Sequence, residues 1–285
     1  MIGGGPAGST AASMAAKSGL TVKICERSKF PREHVGESLL PASIAILEEL
    51  GLKEAISNAG FLPKYGATMV WGKDETPWSW RFSETNKQNI HSYQVSRPIF
   101  DEILLKRSAE LGVLVEEESS VGKIMIDDSN RGAVVINKNG QQYFQPAKFI
   151  VDASGQSALL ARNLNLRQWD ENFQNLAVYG YFTGAKKLPI PDENNIFIES
   201  FENGWVWTIP LNGDITSVGA VVDSNKSAAE LRKVDSRTFL EDQLSLTNRT
   251  CDMLSQAKLQ SDAKILKDWS YTTSKMAGDG WVLAG

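Results

Sequence analysis

Six residues at the start of the chain, Gly3-Gly4-Gly5-Pro6-Ala7-Gly8, follow the G-x-G-x-x-G pattern of a dinucleotide-binding turn. In such a turn the first glycine permits a tight bend, the second lets the backbone approach a pyrophosphate, and the third lets the following helix pack closely on its strand. Glu26 follows Gly8 at the distance expected of a carboxylate that accepts hydrogen bonds from ribose hydroxyls. A chance glycine turn is the alternative. The residues predicted to bind the dinucleotide are Gly3, Gly5, Pro6, Ala7, Gly8 and Glu26.

A second pattern, Trp205-Val206-Trp207-Thr208-Ile209-Pro210, places two indoles two residues apart in an apolar run that stops at a proline. The run predicts a strand, and alternation along a strand puts both rings on the same face. The alternative is an ordinary core strand, because aromatic strand faces usually only pack against their neighbours.

Together with the run Gly36-Glu37-Ser38, these two patterns resemble the flavin-dependent halogenases. The resemblance extends from Gly3 to Gly285, and the W-x-W-x-I-P strand is its most discriminating part. The G-E-S run followed by Leu39-Leu40-Pro41 is shared with geranylgeranyl reductase-like proteins, and the glycine turn is shared with many enzymes.

The resemblance implies that the dinucleotide is FAD. Val95-Ser96-Arg97-Pro98-Ile99-Phe100-Asp101 matches the V-x-R-x-x-F-D pattern of the p-hydroxybenzoate hydroxylase and halogenase superfamily, whose arginine lies beside the flavin. A solvated arginine at the start of a helix is the alternative. Asp152-Ala153-Ser154-Gly155 stands where that superfamily keeps an Asp-Gly motif. The further cofactor-binding residues implied by the resemblance are Glu37, Ser38, Arg97 and Asp152.

The resemblance also implies a reaction. Reduced FAD, supplied by a separate flavin reductase, would use O2 to convert chloride or bromide into hypohalous acid, which passes to a lysine near the substrate. The candidate is Lys64, followed by Gly66-Ala67 and Trp71-Gly72, as in halogenases of phenols, pyrroles and carrier-bound acyl groups. A buried lysine with a lowered pKa would be a neutral amine able to take a halogen. A surface lysine beside a turn is the alternative. Trp205 and Trp207 would keep the small aromatic or carrier-bound substrate away from the flavin.

The helices and strands that must position these residues are predicted from the spacing of apolar residues and from the Gly, Pro and Asn residues that end them. The predicted helices are Pro6–Ser18, Pro41–Leu50, Arg97–Leu111 and Ser227–Leu246. The predicted strand regions are Leu20–Cys25, Phe61–Trp80, Val113–Val151, Leu176–Val222 and Gly280–Gly285. Turns are expected at Asp127–Asn130, Lys138-Asn139-Gly140 and Asn212-Gly213-Asp214, and Phe149-Ile150-Val151 reads as a central parallel strand.

This order of elements predicts an α/β protein. We expect a Rossmann-like FAD-binding domain (1–60, 95–165 and 265–285) with an inserted, mostly antiparallel β-sheet domain on the substrate side (61–94 and 166–264). Met1 and Ile2 alone precede the glycine turn, and the last strand lacks the Gly-Asp that the resemblance leads one to expect after it. Both ends are therefore expected to be truncated.

Composition excludes several other classes of protein. The net charge is −4 and no block of basic residues occurs, so neither nucleic acid nor a membrane surface is expected as a partner. No apolar run reaches about 18 residues, the length of a membrane span. Two histidines are too few for a histidine-rich metal site, and no metal is expected. Cys25 and Cys251 are expected to be buried free thiols in a reducing cytoplasm.

Two alternatives to a halogenase stay open at this point. One is a flavin enzyme of another reaction type, either an aromatic hydroxylase or a geranylgeranyl reductase-like oxidoreductase. The other is a flavoprotein that only binds its cofactor, or an inactive fragment. A halide requirement for turnover distinguishes a halogenase from a flavin enzyme of another reaction type. Flavin retention after purification tests whether the chain is an inactive fragment.

Overall fold

A computed structural model describes residues 1–126, 132–267 and 270–284 of the chain. The turn predicted at Asp127–Asn130 lies outside the described residues. Within those ranges, no helix is both long enough and apolar enough to span a membrane.

The described helices are mostly short, and the longest two lie in the part of the chain that carries the glycine turn. They are α1 (Pro6–Lys17), α2 (Ala42–Glu49), α3 (Lys53–Asn58), α4 (Phe82–Thr85), α5 (Arg97–Glu110), α6 (Leu159–Asn163), α7 (Ser224–Ser227), α8 (Ser236–Ser245) and α9 (Arg249–Met253).

The described strands fall into parallel and antiparallel groups. In chain order they are β1 (Lys23–Cys25), β2 (Leu62–Lys64), β3 (Gly66–Val70), β4 (Trp78–Arg81), β5 (Ser92–Gln94), β6 (Leu114–Glu116), β7 (Ser119–Ile126), β8 (Gly132–Lys138), β9 (Gln141–Ala147), β10 (Ile150–Asp152), β11 (Arg167–Trp169), β12 (Asn175–Thr183), β13 (Ile196–Phe201), β14 (Gly204–Pro210), β15 (Ile215–Asp223), β16 (Lys258–Leu259), β17 (Lys264–Lys267), β18 (Tyr271–Thr273), β19 (Ala277–Gly278) and β20 (Trp281–Leu283).

Parallel pairing gathers the first and last parts of the chain around the glycine turn. Strand β1 pairs with β6, β10 pairs with β20, and Ile2 bridges Cys25 on one side and Asp152 on the other, all in parallel. Helices α1 and α5 pack together over this region, and the hydroxyls of Ser13 and Ser108 are 3.0 Å apart between them. Small side chains on α1 permit this close approach, which holds the start of the helix directly after the turn.

The largest sheet is built from eight described strands and is mostly antiparallel. Its order is β16-β12-β15-β14-β13-β3-β4, with β17 also paired to β12, and the β13–β3 pair is the parallel one. One face of this sheet buries Phe239 and Leu240 of α8. Because side chains alternate along a strand, the opposite face carries Trp205 and Trp207.

Most predicted elements are found close to their expected bounds. The Asn139-Gly140 turn between β8 and β9 is confirmed, and both residues have the positive φ angles of a type I′ hairpin. The predicted helix Ser227–Leu246 is wrong in its first half. A regular helix begins only at Ser236, because Asp235 accepts a hydrogen bond from the N–H of Thr238 and so caps it there.

Three further expectations need correction or refinement. Phe149 is 52% exposed and precedes the strand, so the central parallel strand is β10 and begins at Ile150. Cys25 is a buried free thiol as predicted, whereas Cys251 is exposed on α9. Strand β17 crosses the predicted domain boundary at 265, since all four of its residues pair with β12. The division into domains otherwise stays a prediction.

Candidate active site

The glycine turn opens onto a cleft of about 550 Å³. Gly5 is the N-cap of α1, and no side chain of the described residues caps the first turn of that helix, so its N–H groups point toward the cleft without a side-chain partner there. Free N–H groups and the positive end of a helix dipole form a site for an anion such as a pyrophosphate. Predicted cofactor-binding residues that line the cleft are Gly3, Gly5, Pro6, Ala7, Glu26 and Arg97.

The three motif glycines are needed for different physical reasons. Gly3 has a φ of +94°, and a Cβ placed on it would lie 2.4 Å from the carbonyl oxygen of Ala153. A Cβ on Gly8 would lie 2.0 Å from the carbonyl oxygen of Gly3, so Gly8 supports the turn from beneath the cleft. A Cβ on Gly5 would contact only the end of the Arg32 side chain, at 3.1 Å. Gly5 therefore leaves room for a ligand, and this cradle fits a dinucleotide.

Glu26 follows β1 directly and is buried beside the turn. Its Oε2 accepts a hydrogen bond of 2.7 Å from the N–H of Gly4, and its Oε1 accepts one of 2.8 Å from the N–H of Ser28. These bonds hold the carboxylate at the end of the strand. Each oxygen keeps further acceptor capacity for a ribose hydroxyl in the cleft.

Arg97 begins α5 and is buried, which excludes the solvated alternative. Its guanidinium forms a bidentate ion pair with the carboxylate of Asp101, one helical turn later. Nε donates to Oδ1 at 2.7 Å and Nη2 donates to Oδ2 at 2.9 Å. Its Nη1 also donates to the carbonyl of Val35 and lies 3.5 Å from the carbonyl of Gly36. The arginine thus joins the wall of the cleft to the G-E-S run.

Asp152 lies at the end of β10 with both carboxylate oxygens bonded to backbone N–H groups. Oδ1 accepts from Ser154 at 2.9 Å and Oδ2 accepts from Leu160 at 2.7 Å. It lines a neighbouring cleft of about 640 Å³ rather than the one at the glycine turn. These contacts stabilise the loop after β10.

The three residues of the G-E-S run contact three different parts of the site. The carbonyl of Gly36 faces Arg97 at the cleft. The Oε1 of Glu37 accepts a hydrogen bond of 2.9 Å from the hydroxyl of Tyr181 on the large sheet. The Oγ of Ser38 accepts a hydrogen bond of 2.5 Å from the Nζ of Lys64. One tripeptide therefore touches the cleft wall, the aromatic face and the lysine.

Glu37 is buried away from the cleft and faces the strands that carry the aromatic side chains. Burial raises the pKa of its carboxyl group, while the hydroxyls of Ser217 and Tyr181 bond to it and oppose that rise. Ser217 in turn accepts a hydrogen bond of 3.2 Å from the indole N–H of Trp207. The carboxyl group of Glu37 and the ring of Trp207 thus share one hydrogen-bonded partner.

Trp205 and Trp207 lie on the same face of β14, as predicted, with ring centroids 6.1 Å apart. The ring of Tyr179 lies 6.2 Å from that of Trp207 and extends the aromatic surface onto β12. Gly219 on β15 makes room for it, because a Cβ there would lie 2.4 Å from the Trp207 ring. The indoles form a rigid wall on which Val35, just before the G-E-S run, also packs.

Lys64 ends the short strand β2 and is 2% exposed. Burial lowers the pKa of its ammonium group from 10.5 to about 8. Its Nζ lies 5.3 Å from the centre of the Phe82 ring, and among the described residues no carboxylate pairs with it. A surface position is thereby excluded, and the group is one whose proton is easily lost near neutral pH.

Two groups of predicted residues emerge from this geometry. One surrounds the cleft, and the other comprises Glu37, Ser38, Lys64 and the two indoles. Sequence reasoning missed the residues that support the second group, namely Tyr179, Tyr181, Ser217 and Gly219. The alternation of aromatic residues in Tyr179-Gly180-Tyr181 is the signal that could have revealed a second aromatic strand on the same face.

Comparisons with known proteins identify the family. The model of the tryptophan halogenase family matches residues 1–91 and 85–253. Tryptophan 2-halogenase of Chondromyces crocatus is 33% identical, and the match covers all of this chain but 55% of that protein. The 1H-pyrrole-2-carbonyl peptidyl-carrier-protein chlorinase of Pseudomonas fluorescens is also 33% identical, with 100% of this chain and 68% of that protein covered.

Among solved structures, the flavin-dependent halogenase CmlS superposes with a TM-score of 0.93 at 37% identity, over 99% of this chain and 51% of that one. The mixed α/β fold is therefore confirmed. The chain spans about half the length of these two longer relatives. From its sequence, its fold and the position of its motifs, it belongs to the tryptophan halogenase family of flavin-dependent halogenases.

Proposed function

We propose that this chain supplies the cofactor cleft and the halogen-transfer lysine of an FAD-dependent halogenase. The observation that carries the proposal is Lys64, a buried lysine without a carboxylate partner in the described chain, bonded to a loop that also contacts the cleft wall. FAD would be held by the backbone of the glycine turn, with Glu26 at its ribose and Arg97 beside its ring. When bound and reduced, it would give two electrons to O2, which takes two more from the halide and so oxidises it.

Lys64 has the properties that halogen transfer demands of an amine. At neutral pH a pKa of about 8 leaves a fraction of the group uncharged, and an uncharged amine is a nucleophile. Its remaining N–H groups can bind hypohalous acid, which keeps that oxidant beside the substrate. An arginine cannot replace it, because a guanidinium stays charged at every accessible pH.

Trp205 and Trp207 would separate the organic substrate from the flavin. Both rings are held by neighbours on the sheet, and Trp207 is fixed further by its bond to Ser217. A rigid wall of this kind would let hypohalous acid through while stopping an aromatic ring, and so favour halogenation over direct hydroxylation.

The finer parts of the proposal concern what the whole protein uses. The substrate would be a small aromatic compound or an acyl group on a carrier protein, supported by the similarity to a pyrrole-carrier chlorinase. The halide would be chloride or bromide, and a separate flavin reductase would provide reduced FAD. A cytoplasmic location, inferred from the free thiols, belongs to the same proposal.

The test is Lys64→Ala in an active preparation with FAD, a flavin reductase, NADH and a halide. We expect unchanged FAD binding and O2 consumption, with halogenated product at background, and no rescue by Lys64→Arg. Lys73→Ala, which changes an exposed lysine nine positions later, is the matched control. Halogenation by Lys64→Ala near the parent rate would overturn the proposal, and loss of FAD from that variant would place Lys64 at the cofactor instead.

A further inference from the structure

One buried carboxylate beside the cofactor cleft binds two arginines. Asp101, on α5, is 0% exposed. Its Oδ1 accepts a hydrogen bond from the Nε of Arg97, and its Oδ2 accepts bonds from the Nη2 of Arg97 and, at 3.1 Å, from the Nη1 of Arg32. Among the described residues no second carboxylate forms an ion pair with either arginine. Both arginines line the cleft, so these three side chains together present a surplus positive charge to it.

The guanidinium of Arg32 is held by two different contacts. Its Cζ lies over the ring of Phe30, 4.6 Å from the ring centroid, and its edge donates to Asp101. Phe30 is itself buried, in a cluster that includes Ala12 of α1 and Leu105 of α5. A free arginine side chain loses much rotational freedom when it is ordered, and that loss weakens any contact that it makes with a ligand. The two contacts order Arg32 before a ligand binds.

The second terminal nitrogen of Arg32 reaches the start of α1. A Cβ placed on Gly5, the N-cap of that helix, would lie 3.1 Å from the Nη2 of Arg32. An anion bound by the N–H groups at the start of α1 would therefore also meet this nitrogen. A guanidinium is planar and rigid, so the bond from Nη1 to Asp101 fixes the direction in which Nη2 points.

Two possible roles of Asp101 predict opposite effects on an anionic ligand. A negative charge near an anion site repels the anion. If Asp101 served only to neutralise Arg97 in the protein interior, its replacement by a neutral residue would therefore strengthen anion binding. If Asp101 directs Arg32 toward the anion, the same replacement would weaken binding, although it makes the site more positive.

We propose that Asp101 is a positioning residue of the cofactor cleft, which directs Arg32 at the start of α1 toward the pyrophosphate of the bound dinucleotide. Asp101 acts through the arginine and does not line the described cleft itself. Arg97 holds the carboxylate from the other side, and its own Nη1 is fixed by the carbonyl of Val35. That the dinucleotide is FAD rests on the proposed function, whereas the pairing of Asp101 with Arg32 beside the anion site does not.

ADP is the probe for this site, because it carries a pyrophosphate but no flavin ring. Isothermal titration calorimetry gives its dissociation constant for the parent, Asp101→Asn, Arg32→Gln and the double variant. We expect each single substitution to weaken ADP binding about tenfold, as for the loss of a hydrogen bond to a charged group. The double variant should bind ADP no more weakly than Arg32→Gln, because Asp101 then has no arginine left to direct. FAD, titrated by its fluorescence, should give the same pattern.

Glu102→Gln is the matched control. Glu102 follows Asp101 on α5 and pairs with Lys106 one turn later, at 2.9 Å. This substitution therefore removes the same charge and one ion pair from the same helix, without touching the cleft. It should leave the affinity for ADP unchanged. Thermal unfolding of each variant shows whether it is folded, so a loss of stability alone is not mistaken for a loss of positioning.

Arg32→Lys keeps the proposal testable if Asp101→Asn does not fold. Lysine retains the positive charge but carries it on a single nitrogen, so it lacks the two ends that reach the carboxylate and the helix. We expect this variant to bind ADP about tenfold more weakly than the parent, as Arg32→Gln does.

Three results would overturn the proposal: unchanged or tighter ADP binding by folded Asp101→Asn, additive losses in the double variant, or parent affinity in Arg32→Lys. Failure of the proposed function looks different. In that case Lys64→Ala would still halogenate its substrate, while the ADP titrations stayed as expected.

Discussion

The Nζ of Lys64 lies 2.5 Å from the Oγ of Ser38, and within the described residues this hydroxyl is its hydrogen-bond partner. In the part of the chain that the structure describes, neither atom belongs to an ion pair, although the lysine is almost fully buried. A buried ammonium group without a counter-ion is costly, and that cost is the origin of the lowered pKa. Several consequences of this and the neighbouring contacts can be measured.

Replacing Lys64 by methionine should stabilise the protein near neutral pH. The shift of its pKa from 10.5 to about 8 corresponds to a penalty of about 3 kcal/mol when the group is charged. Because the folded pKa lies below the unfolded one, the unfolded chain binds more protons between pH 8 and 10.5, and the parent gains stability as pH rises through that window. The advantage of Lys64→Met, measured by denaturant unfolding, should be largest below pH 8 and vanish toward pH 10.5. A pH-independent difference would contradict this account.

Gly5→Val should abolish FAD binding while leaving the fold intact. A side chain at Gly5 would project into the cleft and displace only the end of Arg32. Gly8→Ala is the informative comparison, because its Cβ would meet the backbone of Gly3 and should reduce thermal stability as well. Flavin fluorescence titration and thermal unfolding separate the two effects. Normal FAD affinity in folded Gly5→Val would refute the cofactor assignment.

Gly219→Ala, on the strand next to the indoles, should displace the ring of Trp207. The added methyl group would lie 2.4 Å from the Trp207 ring and 2.6 Å from the Cβ of Tyr179, so the ring must move. Overpacking of this kind costs about 1–3 kcal/mol. We expect a lower melting temperature and altered tryptophan fluorescence. Gly213→Ala, at a turn position with open space around it, changes a glycine without touching the wall and should leave the fluorescence unaltered.

Trp205→Ala and Trp207→Ala should leave the protein folded but weaken the coupling between O2 consumption and halogenation. Removing either ring opens the wall that would separate the substrate from the flavin. The ratio of halogenated product to O2 consumed is the quantity to measure, with hydroxylated product sought by mass spectrometry. If the double variant keeps the parent ratio, the indoles are merely part of the core.

Glu37→Gln should make stability less sensitive to pH. Burial raises the pKa of Glu37, so between its unfolded and folded values the folded chain holds more protons, and stability falls as pH rises through that window. Glutamine keeps an acceptor for Tyr181 but does not titrate. The difference in melting temperature between Glu37→Gln and the parent should therefore grow as pH rises from 4.5 and then level off. Tyr181→Phe, which removes the donor instead, should lower stability at every pH.

The sequence predicts features governed by local periodicity. The glycine turn, the helix that follows it and the shared face of Trp205 and Trp207 all follow from residues within a few positions of one another. Strand β5 shows the limit of such reasoning. In Ser92-Tyr93-Gln94 alternation places the aromatic residue inside and the polar ones outside, yet the structure buries Ser92 and Gln94 and leaves Tyr93 partly exposed.

Long-range contacts explain the rest of what was missed. The contact of Glu37 with the sheet depends on Tyr181, 144 positions later, which no pattern around Glu37 indicates. The exposure of Phe149 and Cys251 likewise depends on what packs nearby, which no local pattern encodes. Lys64 could be singled out by its neighbours in sequence, whereas its burial depends on the strands that close over it.

The tripeptide Gly36-Glu37-Ser38 also sets a maximum distance between two contacts. A residue of extended chain spans at most about 3.6 Å, so the contact at Gly36 with Arg97 and the contact at Ser38 with Lys64 cannot separate by more than roughly two such steps along the backbone. In the proposed function, this segment therefore bounds how far the lysine can lie from the cleft wall, and an insertion of one residue would raise that bound by about 3.6 Å.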